Sequence, residues 1–251
     1  MKKLMAANWK MYKTVEEGAA TARELAGLLA GRLPADREVL VCPSFTMLGA
    51  VAPILAQAPG CCTGAQNFFP AGQGAFTGEI APEQLLALGC AYALAGHSER
   101  RHVLGEGDEF VGRKVAFGLD AGLKMILCVG ETIEERRAGQ VEAVLARQLE
   151  VGLSGVLDKA TAENLAVAYE PVWAIGTGEV AGPQEILAAH AFVRSKLISL
   201  LPGQGAQVRI LYGGSVKPDN AGTIVRLDNV DGVLVGGASL KADSFSQIVL
   251  A

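Results

Sequence analysis

Two stretches near the C-terminus, VRILYGGSV at residues 208–216 and VDGVLVGGAS at residues 230–239, carry the pattern that decides the fold. Each begins as a short apolar run and continues into a glycine pair. Apolar runs without polar alternation predict strands that are buried on both faces, as in parallel sheets covered by helices. The two stretches therefore indicate successive strand–helix units.

The same unit repeats from one end of the chain to the other. Short apolar runs alternate with amphipathic segments whose apolar residues recur at i, i+3 and i+4, which is typical of helices. The eight runs are Lys3 to Trp9, Glu38 to Cys42, Cys61 to Ala65, Ala91 to Gly96, Lys124 to Val129, Asn164 to Tyr169, Val208 to Tyr212 and Val230 to Val235. The clearest helical segments are Val15 to Gly31, Asp108 to Gly122, Gln140 to Leu153 and Gln184 to Leu201.

Eight strand–helix units in 251 residues predict an α/β fold, a single (β/α)8 TIM barrel formed by residues 1–251. No linker or low-complexity segment marks a domain boundary. A doubly wound open sheet is the alternative. It would need a glycine-rich G-x-G-x-x-G turn after the first strand, and there the chain reads NWKM.

Composition excludes several classes of protein. The formal net charge is −4, which gives no basic face for nucleic acid. Half of the residues are hydrophobic, but no apolar run approaches the roughly 18 residues of a membrane span. The apolar stretch after Lys2 and Lys3 is too short for a signal peptide, so we expect a cytoplasmic protein with no membrane partner.

Cysteine and histidine usage argues against a metal or a redox centre. The five cysteines are an odd number, lie in or beside apolar runs, and form no C-x-x-C pair, which favours reduced core thiols. With only three histidines in the chain, a multi-histidine catalytic site is not expected. We therefore expect neither a metal nor a cofactor.

If the barrel is correct, the active site lies at the carboxyl ends of the strands. All eight ends are polar or glycine-rich, whereas the strand beginnings offer little beyond scattered Lys and Glu. The residues at the carboxyl ends are Asn8, Lys10, Ser44, Gln66, Asn67, His97, Ser98, Glu99, Gly130, Glu131, Glu170, Gly213, Gly214, Ser215, Gly236 and Gly237.

The glycine pairs after the last two strands suit phosphate binding, because glycine allows backbone N–H groups to approach an anion closely. Either pair alone could simply terminate its strand. Their occurrence in adjacent units favours a phosphate site. Lys10, which could otherwise be a surface lysine, would be a second contact to the phosphate or to a developing oxyanion.

Glu170 follows the apolar run LAVAY and precedes Pro171. A carboxylate against an apolar wall can act as a general base, although most carboxylates at strand ends form salt bridges. The segment that follows, PVWAIGTG, has a proline at one end and glycines at the other, as a lid on two hinges would. His97 directly follows the fourth run. Together these groups suit proton transfer next to a carbonyl.

At these residues the sequence resembles the triosephosphate isomerase family. The matching segments are AANWKM (6–11), GAQN (64–67), GAFTGE (74–79), GHSERR (96–101), CVGE (128–131), AYEPVWAIGTG (168–178), YGGSV (212–216) and GVLVGGASL (232–240). The resemblance covers the whole chain. It implies a cofactor-free aldose–ketose isomerase of glycolysis and gluconeogenesis that interconverts dihydroxyacetone phosphate and D-glyceraldehyde 3-phosphate through an enediolate.

The resemblance also implies roles for individual residues. Glu170 would be the base, neutral His97 would polarise the carbonyl oxygens, and Lys10, with Asn8 beside it, would stabilise negative charge. Glu99 would pair with Lys10 before substrate binds. The phosphate would be bound by Gly176, Ser215, Gly236 and Gly237, and the lid would comprise Pro171, Val172, Trp173, Ala174, Ile175, Gly176, Thr177 and Gly178.

The family is typically dimeric, so a homodimer is expected. Its third loop corresponds to Gln66–Glu79, and the expected interface residues are Thr77, Phe68, Phe69 and Met11. Two segments depart from the family pattern: Glu179 to Pro183 after the lid, and Tyr12 near the expected interface. The remaining alternatives are another phosphate-binding barrel enzyme, such as a sugar-phosphate aldolase or lyase, and an inactive barrel that serves as a binding protein.

Overall fold

The eight apolar runs form parallel strands that pair in chain order, and the last strand returns to pair with the first. This arrangement is seen in a computed structural model that describes residues 1–175 and 181–251. The strands are β1 Lys3–Asn8, β2 Arg37–Cys42, β3 Cys61–Ala65, β4 Cys90–Ala95, β5 Lys124–Val129, β6 Leu165–Tyr169, β7 Arg209–Tyr212 and β8 Gly232–Val235. The predicted closed barrel is confirmed.

Helices follow the strands and surround the barrel. They are α1 Val15–Leu29, α2 Leu48–Ala56, α3 Pro82–Ala87, α4 Ser98–His102, α5 Asp108–Ala121, α6 Ile133–Arg137, α7 Val141–Leu153, α8 Pro183–Leu200, α9 Pro218–Ile224 and α10 Ala242–Leu250. Short 3-10 helices occupy Phe45–Met47, Val172–Ala174 and Gly237–Leu240. The four helical segments singled out in the sequence begin and end within two residues of α1, α5, α7 and α8.

The side chains of alternate strand residues pack into two separate hydrophobic cores. In β1, Leu4 and Ala6 point into the barrel, whereas Met5 and Ala7 pack outward against the helices. All four are fully buried. This explains why the strands are almost continuously apolar: both of their faces lie away from water.

A polar network that the sequence reading did not predict closes the amino-terminal end of the barrel. The Arg209 guanidinium lies 2.6 Å from a Glu38 carboxylate oxygen and donates to the Tyr92 hydroxyl at 2.7 Å, and that hydroxyl lies 2.9 Å from the other Glu38 oxygen. Burial alone would raise the pKa of Glu38, but the hydrogen bonds and charge of Arg209 outweigh it and hold that pKa below its usual value.

The five cysteines are free thiols in the structure. Burial raises the pKa of Cys61 to about 11 and that of Cys62 to about 12, and it also raises those of Cys42 and Cys128 well above the usual value. These groups therefore stay protonated and poorly nucleophilic at neutral pH. Within the described part of the chain, no helix is long and apolar enough to cross a membrane.

The long loop after β3 requires one correction. Phe68, expected at an interface, is fully buried in this chain's own core. Its ring end lies so close to α5 that a Cβ on Gly118 would be 3.0 Å away. Phe69 is half-buried, with its ring 4.5 Å from that of Phe76. The prediction that Phe68 lies at an interface was wrong, because its ring packs into the core whereas the neighbouring Phe69 ring is only half-buried.

His190 is a buried histidine on α8. Its ring lies edge-on to Tyr169, with the ring centres 5.8 Å apart, and its Nδ1 lies 2.9 Å from the carbonyl oxygen of Asn229. Nδ1 must therefore carry the proton, while Nε2 is buried and has no hydrogen-bond partner among residues 1–175 and 181–251. Burial lowers the pKa of His190 from 6.5 to about 4.

This shift makes stability depend on pH. His190 is protonated near pH 6.5 in the unfolded chain but only near pH 4 in the folded chain. The contribution of neutral His190 to the free energy of unfolding is therefore complete above pH 6.5 and is lost as the pH falls toward 4. As the pH falls from 6.5 to 4, the parent chain should lose up to about 3 kcal/mol of its free energy of unfolding through the protonation of His190. The His190→Gln variant should not show this loss. Urea unfolding at several pH values measures it. Parallel pH curves for the two proteins would contradict the prediction.

Candidate active site

A cavity of about 250 Å³ opens at the carboxyl ends of β1, β4, β6, β7 and β8. Several of the residues expected at the site line it together. They are Asn8, Lys10, His97, Glu170, Ala174, Ile175, Gly213, Gly214, Ser215, Gly236 and Gly237. The carboxylate, the imidazole, the lysine and both glycine pairs thus face one space, although they come from five strands.

Glu170 directly follows β6, and its side chain is almost completely buried. One carboxylate oxygen lies 3.3 Å from His97 Nε2, and the other accepts a hydrogen bond from the Ser98 backbone N–H at 2.8 Å. The Glu170 backbone N–H donates to the Val129 carbonyl at 2.7 Å. The carboxylate is therefore held in a position shielded from water beside a proton donor.

Two glycines leave room for Glu170. A Cβ on Gly130 would lie 1.8 Å from the Glu170 carbonyl oxygen, and one on Gly213 would lie 2.8 Å from its Cγ. Neither position can carry a larger residue without displacing the strand end or the carboxylate. Behind the site, burial and the nearby Glu170 charge raise the pKa of Cys128 well above normal, so this thiol is a packing group.

The imidazole of His97 has a defined tautomer. Its Nδ1 accepts a hydrogen bond from the Glu99 backbone N–H at 3.3 Å, which requires that Nδ1 carry no proton. The ring hydrogen must then be on Nε2, which faces Glu170 and the cavity. Geometry alone thus makes His97 a neutral hydrogen-bond donor to whatever occupies the cavity.

Lys10 is held in an unusual backbone conformation, with φ +50°. Its N–H donates to Asn8 Oδ1 at 3.0 Å, and the Gln66 side-chain amide donates to its carbonyl at 2.9 Å and to that of Cys42 at the same distance. Left-handed backbone is uncommon outside glycine, so these bonds fix a strained residue. Its Nζ lies 2.6 Å from a Glu99 oxygen.

The two glycine pairs form the opposite wall. The 3-10 helix Gly237–Leu240 begins at the rim, and Trp9 Nε1 fixes it by donating to the Ser239 carbonyl at 3.1 Å. Gly236 lies close to Lys10: a Cβ there would be 3.2 Å from Lys10 Cε. Backbone N–H groups at such a rim suit an oxyanion.

Other polar residues at the strand ends lie outside this cavity. The Asn67 side-chain oxygen accepts a hydrogen bond from the buried Lys114 ammonium at 2.5 Å, and the Gln66 amide donates to the backbone carbonyls of Lys10 and Cys42. Glu131 is fully buried and accepts from Trp173 Nε1 at 2.8 Å. Gly176, Thr177 and Gly178, expected in the lid and at the phosphate, lie outside the described residues.

A larger cavity, about 660 Å³, lies beside the C-terminal ends of α1 and α2, between these helices and the amino-terminal ends of the strands. Its lining includes the cations Lys2, Arg23 and Arg37. In the described part of the chain it has no carboxylate or imidazole. Size alone therefore does not identify the reactive site, and the smaller cavity holds the acid–base groups. Within residues 1–175 and 181–251, no three metal-ligating side chains cluster together.

The fold and the cavity define a class: a (β/α)8 barrel in which a carboxylate, an imidazole and a lysine face a glycine-rich rim. Comparisons with known proteins identify the family within this class. A family model described as triosephosphate isomerase matches residues 3–251. Triosephosphate isomerase from Nitratidesulfovibrio vulgaris (strain DSM 19637 / Miyazaki F) is 62% identical over 251 residues, all of both chains. The Oleidesulfovibrio alaskensis enzyme is 61% identical over the same extent.

A comparison with solved structures indicates the same family. Triosephosphate isomerase from Bartonella henselae superposes with a TM-score of 0.89 at 39% identity, covering 99% of this chain and 98% of that one. The chain belongs to the triosephosphate isomerase family. Enzymes of this name are aldose–ketose isomerases, EC 5.3.1.1, which are intramolecular oxidoreductases. The family predicted from the sequence is confirmed, and neither an aldolase nor an inactive barrel is favoured.

The tight contact at Gly213 yields a test of the geometry. In Gly213→Ala, the new methyl group would lie 2.8 Å from Glu170 Cγ, so the carboxylate must shift. Because a misplacement of about 1 Å can cost about a hundredfold in rate, we expect kcat to fall by about 10- to 100-fold. Steady-state isomerase kinetics measure it.

The matched control is Gly27→Ala on α1, where an added Cβ meets nothing within 4 Å. It should retain full activity. Equal activity of Gly213→Ala and Gly27→Ala would show that the position of the carboxylate is not constrained at Gly213.

Proposed function

We propose that this chain interconverts dihydroxyacetone phosphate and D-glyceraldehyde 3-phosphate, with Glu170 as the base and no cofactor. The observation that carries the assignment of the base is the buried Glu170 carboxylate, 3.3 Å from a His97 Nε2 that must hold a hydrogen. Family membership supports the substrate and the reaction. The pathway is glycolysis, and gluconeogenesis in the reverse direction.

The chemistry is a proton transfer between adjacent carbons. Glu170 removes a proton from the carbon next to the carbonyl; the C–H electron pair forms a C=C bond, and the carbonyl π pair moves to oxygen. His97 Nε2 gives its hydrogen to that oxygen and takes the hydrogen of the neighbouring hydroxyl group, whose O–H electron pair forms the new C=O bond. The C=C electron pair then takes the proton from the protonated Glu170, at the carbon that was the carbonyl carbon. Triosephosphate isomerases are themselves a standard example of such a carboxylate–imidazole pair. Because the Glu170 carboxylate accepts a hydrogen bond from the Ser98 N–H and lies beside His97 Nε2, it must turn toward the substrate carbon before it can remove the proton.

Lys10 supplies the positive charge. Its Nζ is paired with Glu99 at 2.6 Å, and substrate binding would exchange this partner for the substrate's oxygens. Asn8 keeps the strained Lys10 backbone in place. Ser215, Gly236 and Gly237 would donate N–H groups to the phosphate, with Gly176 completing the set when Pro171 to Gly178 close as a lid. A closed lid would exclude water and discourage loss of phosphate from the enediolate.

The direct test is a coupled isomerase assay on D-glyceraldehyde 3-phosphate with EDTA present. We expect activity in the parent chain. In Glu170→Gln we expect kcat to fall by at least about a thousandfold, because the base is lost, while the affinity for a phosphorylated substrate analogue changes by less than about fivefold.

The control is Glu163→Gln, which replaces an exposed carboxylate before β6 and should be fully active. Retained activity in Glu170→Gln would overturn the assignment of the base. Inactivity of the parent chain would overturn the function itself.

We also propose a homodimer in the cytoplasm. Thr77 and Met11 are exposed, Met11 at 95%, and the ring of Phe69 lies between Phe76 of the same loop and Phe110 of α5. Exposed apolar groups on loops next to the active site support an interface there. The buried free thiols support a reducing compartment.

Sedimentation velocity tests the dimer. The parent chain should sediment at twice the mass of one chain, and Thr77→Arg should shift it toward the monomer because a buried charge without a partner destabilises an interface. The control Thr223→Arg, on α9 away from this loop, should remain dimeric. A monomeric parent chain would contradict the proposal.

A further inference from the structure

The carboxyl end of β5 extends beyond the end of its neighbour β4, so the backbone groups on that side need other partners. β4 ends at Ala95, and Gly96 then leaves the sheet with φ +74°. Backbone groups of successive residues in a strand face opposite neighbours, so those of Cys128 and Gly130 face the space beyond the end of β4. Such buried groups must find partners among side chains, because an unpaired one is costly.

Two side chains take the place of the missing strand. Arg101 Nη2 donates to the Cys128 carbonyl at 3.2 Å. The side-chain amide of Gln148, on α7, accepts from the Gly130 N–H at 2.7 Å and donates to the Gly130 carbonyl at 3.2 Å. Gln148 is almost completely buried. Because a carboxamide carries a donor and an acceptor side by side, it bonds both backbone groups of one residue.

The opposite side of the same segment holds the residue proposed as the base. The Val129 carbonyl accepts from the Glu170 N–H at 2.7 Å, and the Glu131 carbonyl accepts from the Val172 N–H at 3.1 Å. Gly130, between them, packs directly on Glu170: a Cβ there would be 1.8 Å from the Glu170 carbonyl oxygen and 3.2 Å from its Cα. Close packing of this kind transmits a displacement of Gly130 to the backbone of Glu170.

We propose that Gln148 is a positioning residue for the isomerisation: its carboxamide fixes the backbone of Gly130, and Gly130 fixes the backbone from which the Glu170 carboxylate reaches the substrate. The inference rests on the proposed function, in which Glu170 is the base. Among the described residues, those that line the active-site cavity do not include Gln148 or Gly130. Gln148 therefore acts on the reaction through Glu170.

Removal of the carboxamide would leave the N–H and the carbonyl of Gly130 buried without partners. Gly130 would then shift toward other partners, and the Glu170 carboxylate would shift with it. A misplacement of about 1 Å can cost about a hundredfold in rate. Lys10 and the two glycine pairs belong to other strands, so substrate binding should change little. The expected signature is a lower kcat at nearly constant KM.

The test compares Gln148→Met with Gln207→Met. Methionine keeps the length of the side chain but cannot donate a hydrogen bond. Gln207 is exposed and lies just before β7, at the opposite end of the barrel, so the same substitution there is the control. For Gln148→Met we expect kcat to fall about 10- to 100-fold and KM to change by less than about threefold. Gln207→Met should match the parent chain.

A double-mutant cycle with Glu170→Asp distinguishes positioning from a general loss of structure. Aspartate keeps a carboxylate but withdraws it by one methylene, so the base is already misplaced. If Gln148 acts through the position of the base, Gln148→Met should lower kcat by less than about threefold in the Glu170→Asp background. An equal fold-loss in the two backgrounds would overturn the proposal, and so would a lower melting temperature with unchanged kcat.

Should Gln148→Met fail to fold, Gln148→Asn takes its place in the cycle. Its amide is one methylene shorter and cannot keep both bonds to Gly130. The loss of kcat must again be smaller in the Glu170→Asp background than in the parent background. Equal losses would overturn the proposal in this variant as well.

Amide exchange followed by NMR separates this inference from the proposed function, since it needs no turnover. In Gln148→Met, the N–H groups of Gly130 and Glu170 should both exchange faster than in the parent chain. The Met125 N–H, which donates to the Asn164 carbonyl at the other end of β5, should be unchanged. Faster exchange at Gly130 alone would show that Gln148 does not act on Glu170 and would overturn the proposal. Absence of isomerase activity in the parent chain would defeat the proposed function without changing this result.

Discussion

The structure is organised around one constraint: a carboxylate must be held in one position in a site almost closed to water. Glu170 meets it with a hydrogen bond from the Ser98 N–H, a neighbouring His97 Nε2 and no bulky group at Gly130 or Gly213. A buried charge is costly unless its oxygens are bonded, so each of these contacts is required.

The barrel supplies this arrangement because its strands are rigid and converge. β6 brings Glu170, β4 brings His97, and β1 brings Lys10, each at a carboxyl end whose strand is buried on both faces. Beyond β6, Glu131 accepts a hydrogen bond from Trp173 Nε1 and Glu185 accepts one from the Gly182 N–H, and both carboxylates pair with Arg136.

The sequence predicted what depends on local pattern and missed what depends on long-range pairing. The eight strands follow from apolar runs, and Glu170, His97 and Lys10 follow from their places after those runs. Nothing in the pattern revealed that Gln66 would bond the carbonyl of Lys10, or that Arg209 would join Glu38 and Tyr92. Phe68 was misplaced because an apolar pair does not show which ring faces the core.

The central claim is that one carboxylate moves a proton between adjacent carbons. Isomerisation of dihydroxyacetone phosphate in deuterium oxide, followed by NMR, tests it directly. A carboxylic acid exchanges its proton with solvent, so the product should carry deuterium at the carbon that gains a proton, in one stereochemical configuration. The contradicting result would be product that forms at full rate but carries no deuterium at that carbon. That result would indicate hydride transfer.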